Sequence, residues 1–463
     1  MAYTAFITTL KNVHKHPNAD RLLIGECFGN SVIIGLEYTE GQLGVYFPVD
    51  GQLSEEYCKV NDLVRRKDEN GNPCGGYLDP EKRNIKAMKL RGEKSDGLFM
   101  PITSLAEFCK ISDLREGDVI TVLNGVEICK KYIPKRKEGR WHGGKKVGRA
   151  KANFAPTFYE HVDTAQLAYN LGRFNVGDVV ELTLKMHGTS GRTGYLPLIK
   201  HKKRTLWQKL TRKPAHTYTE YGYVTGTRRV VLDNTHDGGY YSDNQFRREM
   251  AKKFEGKLHK GEVVYYEIVG FVNENTPIMA SCDNKKIKDK EFSKAYGDTT
   301  IFSYGCDPHG DWEPTSAPAD VFVCAEGEMC APKCDVYVYR MTQVNEDGDV
   351  IEMSPEQMRY RCEQMGVKCV PVFEKFIIPN DVNAGEYVLR KVEEYFDGPD
   401  PIGKTHIREG VVARIVNRPN ITVFKHKNFN FRVLEGIIKD EADAPDMEEA
   451  QEEMIVEEVI ANE

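Results

Sequence analysis

The stretch ELTLKMHGTSGRT, residues 181–193, runs as an apolar, strand-like segment and closes on Lys185, followed at once by small polar residues. Desolvating an ammonium group is unfavourable, and lysine is almost never fully buried without a partner. One chemical use for a lysine in that place is as an amine nucleophile. At an unperturbed pKa near ~10.4 only about 0.04% of a lysine is neutral at pH 7, so such a nucleophile needs partial burial or nearby cations to shed its proton. Taken alone, Lys-Met-His-Gly (185–188) reads first as a strand-end lysine that snorkels to water.

Four later segments supply what a nucleophilic lysine would need. YYEIVG carries Glu267 inside an apolar strand, and REGVVAR puts Glu409 at the head of a β-branched one. VFKHKNF places Lys425 and Lys427 two residues apart, hence on one strand face, and VYVYRM is expected to do the same for Tyr337 and Tyr339. Apolar strands that each begin or end in a charge imply charges converging on one cleft. The alternatives are a structural ion pair for Glu267 and Glu409, core packing for the tyrosines, and a solvated face for the two lysines.

In this order the segments resemble the covalent nucleotidyltransferase superfamily of ATP-dependent ligases and capping enzymes. Within it the chain is most similar to the nick-sealing RNA ligases, in the branch with an oligonucleotide-binding-like (OB-like) domain before the catalytic one. His187 stands where that superfamily commonly has Asp, as in some RNA ligases. The resemblance implies an ATP-dependent RNA ligase that joins 3′-OH and 5′-phosphate ends, for RNA repair or sealing of breaks. Lys185 would carry AMP, and Lys425, Lys427 and Mg²⁺ (or Mn²⁺) would neutralise charge developing on the phosphates. The implied ATP site is Lys185, Gly188, Glu267, Tyr339, Glu409, Lys425 and Lys427, with Tyr337 the rival of Tyr339 for stacking on adenine. Glu409 is the expected metal ligand, since Mg²⁺ takes hard carboxylate oxygens. Arg228, or Arg229 beside it, would grip the RNA 5′-phosphate, and Ser190 would donate to the nucleotide or the acceptor strand. Gly188 would let the chain pass close to the ligand, and Glu181 is an ordinary strand-end charge or part of the site. Implied partners are ATP and RNA, with no membrane, for a monomeric chain. Rivals are a DNA ligase, a capping guanylyltransferase, or a non-catalytic RNA-binding protein derived from a ligase.

The elements that must position these residues point to an α+β chain. Its expected form is a small OB-like β-barrel followed by a mixed α/β nucleotidyltransferase domain, an ATP-grasp-like adenylation domain of antiparallel sheets and helices. At 463 residues two or three domains are expected. YTAFITTL, RLLIGECF, NSVIIGLE, LGVYFPV and GDVITVL read as short strands of the barrel over 1–125. A basic, Gly-rich linker follows over 126–151, then the catalytic domain over 152–439, expected to perform the ATP chemistry by itself. In it, HVDTAQLAYNL reads as a helix and EVVYYEIVGF, TTIFSYG, DVYVYRMTQV, EGVVARIV and ITVFKHK as strands. SPEQMRYRCEQMG and AGEYVLRKVEEYF have helical periodicity, the first with a Ser-Pro start signal.

Charge and cysteines narrow the class. The tail 440–463 holds eleven acidic residues and no Lys or Arg, which leaves the rest of the chain at +5 although the whole is −6. That tail is either an amphipathic helix or an acidic extension. Basic clusters at 130–151 and 200–213, each with a Trp, suit a phosphate backbone, the alternative being solvated loops. Twelve scattered cysteines without Cys-x-x-Cys, and no export or membrane-span signal, fit free thiols in a cytoplasmic protein. Cys306, His309, Cys324, Cys330 and Cys334 match no standard zinc spacing.

Overall fold

The computed structural model describes residues 3–49, 51–67, 73–132, 154–162, 164–204, 207, 211, 215–228, 230–232, 245–287, 289–312 and 331–440. Arg229, most of the basic linker, Cys324, Cys330 and the acidic tail past Asp440 lie outside the described residues. The described chain falls into two compact units. One takes the residues up to 132 with 286–287 and the helix Phe429–Asp440; the other takes the remainder. No helix among the described residues is long and apolar enough to cross a membrane.

The first unit is built from short strands, as their β-branched and aromatic runs dictate. Leu98–Pro101, Leu43–Phe47, Ala5–Thr9 and Val119–Ile120 make one antiparallel sheet, in that order. Lys11–Lys15, Leu22–Cys27 and Asn30–Gly35 make a second. Ala5, Ile7, Val45 and Phe47 of the first sheet share a core with Leu53 and with Tyr57 of the helix Glu55–Val60. Among the described residues no closed barrel is found, contrary to expectation. The ladder is interrupted where the chain leaves the first sheet: Asn12 takes φ 52° and the pairing slips between Lys11 and His14. The first residues of the expected linker are also in a sheet, Cys129–Lys131 pairing with Gly51–Leu53. Helix Phe429–Asp440 packs on strand Ala87–Leu90, buries Phe429, Phe431 and Leu434, and pairs Arg432 with the buried Asp96.

The second unit carries two sheets and the charges singled out above. Its five-stranded sheet runs Ala165–Gln166, Thr422–Lys427, Gly410–Ile415, Val179–Lys185, Val372–Ile377. Its eight-stranded sheet follows the path Val231–Leu232, Thr217–Gly226, Thr189–His201, Glu262–Asn273, Cys334–Val344, Val350–Glu352, with two short strands off it. Helix Pro355–Met365 starts at Ser354, whose side chain accepts from Gln357 N–H in a capping box. Helix Ala384–Glu393 places Val388 and Val392 in the same core as Val180, Leu182 and Val411.

Two assignments differ from the sequence expectation. HVDTAQLAYNL forms the two-residue strand Ala165–Gln166 and a 3₁₀ segment Ala168–Arg173, because Ala165 and Gln166 pair with Phe424 and Lys425 and Leu167 enters the core. In TTIFSYG only Thr299–Thr300 is strand; the chain then turns at Tyr304, with φ 49°, beneath the segment that follows Lys185.

Candidate active site

Strand Val179–Lys185 explains its own charged end. Its alternation sends Val180, Leu182 and Leu184 into the core, so Glu181, Thr183 and Lys185 share the opposite face, and all three line one cavity. The neighbouring strands follow the same period: Val411, Ala413 and Ile415 are core, while Val412 and Arg414 face the cavity with Val423 and Lys425. The eight-stranded sheet contributes Ser190, Glu267, Tyr339 and Arg340 to the same cavity, and Arg228 lines it from the turn after Thr217–Gly226. That turn is closed by Thr227, whose N–H donates to the Val230 carbonyl and whose hydroxyl accepts from Val230 N–H.

Lys185 links the cavity to a buried charge cluster. Its Nζ is 2.8 Å from Oε1 of Glu409, and Lys427 Nζ reaches the same oxygen at 3.2 Å. His187 Nδ1 lies 3.8 Å from the other carboxylate oxygen. Burial would raise the Glu409 carboxyl, but the Lys185 and Lys427 ammonium groups, then His187, outweigh it and hold it below the usual carboxylate range. Register produces this convergence, because Lys185 and Lys427 both pair with Gly410, the residue after Glu409. Gly410 permits it: a Cβ there would meet the His426 carbonyl oxygen at 2.0 Å. Asn428 N–H holds the Glu409 carbonyl at 2.7 Å, and the Asn428 amide anchors to Asp397.

The turn after Lys185 is fixed from below. His187 N–H donates to the Tyr304 hydroxyl at 2.7 Å, and the His187 ring meets Phe302 edge-on at 4.7 Å. Burial, then the Asp400 and Glu409 carboxylates, push the Tyr304 phenol well above its ordinary pKa, so it stays a neutral hydroxyl. Gly188 is a position of close approach, but to protein: a Cβ would lie 2.4 Å from the Ile268 carbonyl oxygen and 2.9 Å from Glu267 Cγ. Beyond it, the buried Arg247 donates to the Ser190 carbonyl and the Thr189 hydroxyl.

Tyr337 and Tyr339 do not share a face. The ladder pairs Tyr265 with Arg340 and Tyr266 with Val338, so Tyr339 is the extra residue of a bulge. Tyr339 and Arg340 line the cavity; Tyr337 is buried outside it, with Lys368 over its ring. Glu181 is also more than a strand-end charge, being buried and held by both guanidinium nitrogens of Arg359 at 3.0 Å. Arg340 pairs with Glu352, and Arg414 donates to the Met353 carbonyl and lies 3.9 Å from Glu352, so the arginines of this wall are held by carboxylates. Tyr304, Arg247, Arg340, Arg359 and Arg414 carried no sequence signal: their partners are remote in the chain, and no local spacing marks such contacts. Cys306 and Cys334 are free and buried. Among the described residues no three His, Cys, Asp or Glu side chains group to hold a metal ion.

No family model matches the sequence, and no curated protein matches it. Solved structures do match. An RNA ligase of Naegleria gruberi, in a lysine-to-alanine variant with ATP and Mn, is 15% identical with TM-score 0.53, over 93% of this chain and 98% of that one. A lysine-to-methionine variant with AMP and Mn gives 16% and 0.53, over 93% and 98%. The same ligase with PPi gives 16% and 0.52, over 92% and 96%. At that identity the likeness establishes the fold: a strand-rich, mixed α/β architecture shared with an RNA ligase along nearly the whole chain.

Proposed function

We propose that this chain is an ATP-dependent RNA ligase acting through a lysyl–AMP intermediate. The observation that carries the reading is Lys185 on the cavity wall, its ammonium paired with Glu409, and Lys427 on the same carboxylate oxygen, in a fold shared with an RNA ligase. Lys185 loses its ammonium proton to water; its lone pair then forms the N–P bond to the α-phosphorus, pyrophosphate leaves with the electrons of the broken P–O bond, and the nitrogen gives a second proton to water to become the phosphoramidate. An RNA 5′-phosphate oxygen next attacks that phosphorus, the N–P bond breaks as its nitrogen is protonated, and Lys185 takes up the second proton to return to ammonium. Finally a 3′-OH attacks the RNA phosphorus, releases its proton, and AMP departs. Lys425 and Lys427 would bind the phosphates, Tyr339 would stack on the base and Glu267 would face the sugar or the metal. Arg228 would hold the RNA 5′-phosphate, with Ser190 beside it.

A divalent ion fits this donor set. Glu409 Oε2 is buried without a hydrogen-bond partner, and Mg²⁺ or Mn²⁺ held by one or two carboxylates completes its shell with substrate oxygens and water. Bound there with ATP, the ion would supply charge neutralisation at the phosphates. On the same reading the first unit is the OB-like module that orients RNA, in a protein that seals RNA breaks. Incubation with α-labelled ATP, then α-labelled GTP, tests the proposal: label retained on Lys185 from ATP is expected, and transferred to a 5′-phosphorylated RNA. Label from GTP alone would make it a capping enzyme, and none from either would end the reading.

A further inference from the structure

The hairpin Thr189–His201 and Thr217–Gly226 carries an aromatic surface that the ligase site does not use. One face of it is core, through Leu196, Leu198 and Val224. Among the described residues the other face is covered at Thr193, which bonds the Tyr266 hydroxyl at 2.9 Å where Phe254 packs on the Tyr266 ring. From Tyr195 outward the described residues leave the tyrosine side chains partly exposed. Tyr195 and its cross-strand partner Tyr223 stack with ring centroids 4.8 Å apart at 28°, and Tyr221 follows at 5.7 Å from Tyr195. All three are half-buried, and the exposed Lys260 sets its ammonium 5.0 Å above the Tyr221 ring. The strand then ends at His201 in the exposed cations Lys202, Lys203 and Arg204, after Lys200, which pairs with Glu220, and Trp207 beyond them is 78% exposed.

Cross-strand tyrosine pairs stabilise a hairpin by themselves. A row of π-faces with a lysine over one ring and a run of cations along the same ribbon also matches a particular ligand: a polyanion with unpaired bases. We propose that this outer hairpin face binds a single-stranded stretch of RNA flanking the ends to be joined. Bases would stack on the ring faces that Tyr195, Tyr221 and Tyr223 leave outside their mutual contacts, and phosphates would meet the cations of the tip and Lys260, released from the Tyr221 ring. Duplex RNA offers no free base faces and gains only the phosphate contacts. The inference rests on the ligase reading for its choice of RNA.

The test uses the full chain without ATP and a fluorescent twelve-nucleotide single-stranded RNA lacking a 5′-phosphate, with Kd read from anisotropy over a salt series. Tyr221→Ser and Tyr223→Ser should each weaken binding by about tenfold, as expected for loss of one stacked base. Tyr221→Phe and Tyr223→Phe, which keep the ring, should bind like the parent. Lys260→Gln should flatten the salt dependence by about one phosphate contact, near 0.7 in the log–log slope. An unchanged Kd in both serine variants, with melting temperatures intact, overturns the proposal. So does equal loss in the serine and phenylalanine variants, equally tight binding of a blunt duplex, or a parent chain that self-associates through this face in sedimentation and loses that on serine substitution. Lysyl–AMP formation is assayed in parallel. If it persists in the serine variants while RNA binding ignores the tyrosines, the surface fails and the ligase reading stands; if the parent forms none, the ligase reading fails.

Discussion

The Lys185 ammonium rests 2.8 Å from Oε1 of Glu409, a carboxylate only 1% exposed, and Lys427 shares that oxygen. The pair orders the stabilities of two substitutions. Glu409→Gln leaves two half-buried ammonium groups without their shared anion, which should cost a few kcal/mol, at most about 3–5 kcal/mol. Lys185→Ala leaves Glu409 still paired with Lys427 and should cost less. Thermal melting of both variants checks the order, and a less stable Lys185→Ala would remove Glu409 from its place as shared counter-ion.

Lys185→Ala and Lys185→Arg should both abolish labelling by radioactive ATP. Arginine keeps the charge but cannot be deprotonated near neutral pH, so it cannot attack phosphorus. Labelling of the arginine variant at the parental level would move the nucleophile elsewhere.

Tyr304→Phe should slow lysyl–AMP formation about tenfold while leaving the KM for ATP near its parental value. The hydroxyl accepts the His187 N–H two residues from Lys185, and losing it leaves a part-buried donor unpaired at about 1–3 kcal/mol. Single-turnover adenylylation at saturating ATP reads the rate. An effect confined to KM would make Tyr304 a binding residue instead.

Arg228→Ala should slow sealing by pre-adenylylated enzyme at least tenfold more than it slows adenylylation, because a guanidinium fork matches phosphate oxygens. Arg228 lines the cavity from within the turn that Thr227 and Val230 close. Rapid-quench assays of the two steps separate the roles; equal slowing would assign Arg228 to the ATP site.

Asp400 makes stability depend on pH. Burial raises its carboxyl from 3.8 to about 7, against the opposing Ile402 N–H and Arg408. The folded state therefore holds a proton that the unfolded chain gives up near 3.8, so this contribution is full below that pH and is lost as pH rises through about 7. Asp400→Asn should lose less melting temperature between pH 5 and pH 8 than the parent, by about several degrees. His406, lowered to about 4 by burial, works in the opposite direction as pH falls, but it is common to both proteins and cancels in the comparison. Identical pH profiles would show that Asp400 is ionised in the fold.

Much of the cavity was legible because strand period and charge coincide. In Val179–Lys185 every second residue is apolar and core, so the remaining face had to hold Glu181, Thr183 and Lys185. Strand Thr422–Lys427 follows the same logic, with Phe424 core and Lys425 on the cavity. The helix opened by Ser354 was legible from its cap, whereas Glu262–Asn273 is buried on both faces and Glu267 stood out as a charge in an apolar run. What failed was set by tertiary contact. Nothing near Tyr339 in sequence announces the bulge that separates it from Tyr337. The segment around Leu167 has helical spacing, yet pairing with Phe424 and Lys425 decides its form. Tyr304 looked like a strand residue because FSY has strand composition, whereas its role depends on His187, 117 positions away.

Helix Phe429–Asp440 belongs to the unit that the chain begins with, which sets a timetable for synthesis. A ribosome adds roughly 5–20 residues per second, and about 300 residues separate Lys131 from Phe429, so the first unit waits about 15 s to a minute for its last helix. Throughout that interval Asp96 lacks Arg432 and strand Ala87–Leu90 lacks the apolar face that will cover it. A nascent chain stalled before Phe429 thus exposes an unfinished surface at its oldest end, where a chaperone or protease would meet it first. The unit made first is completed last.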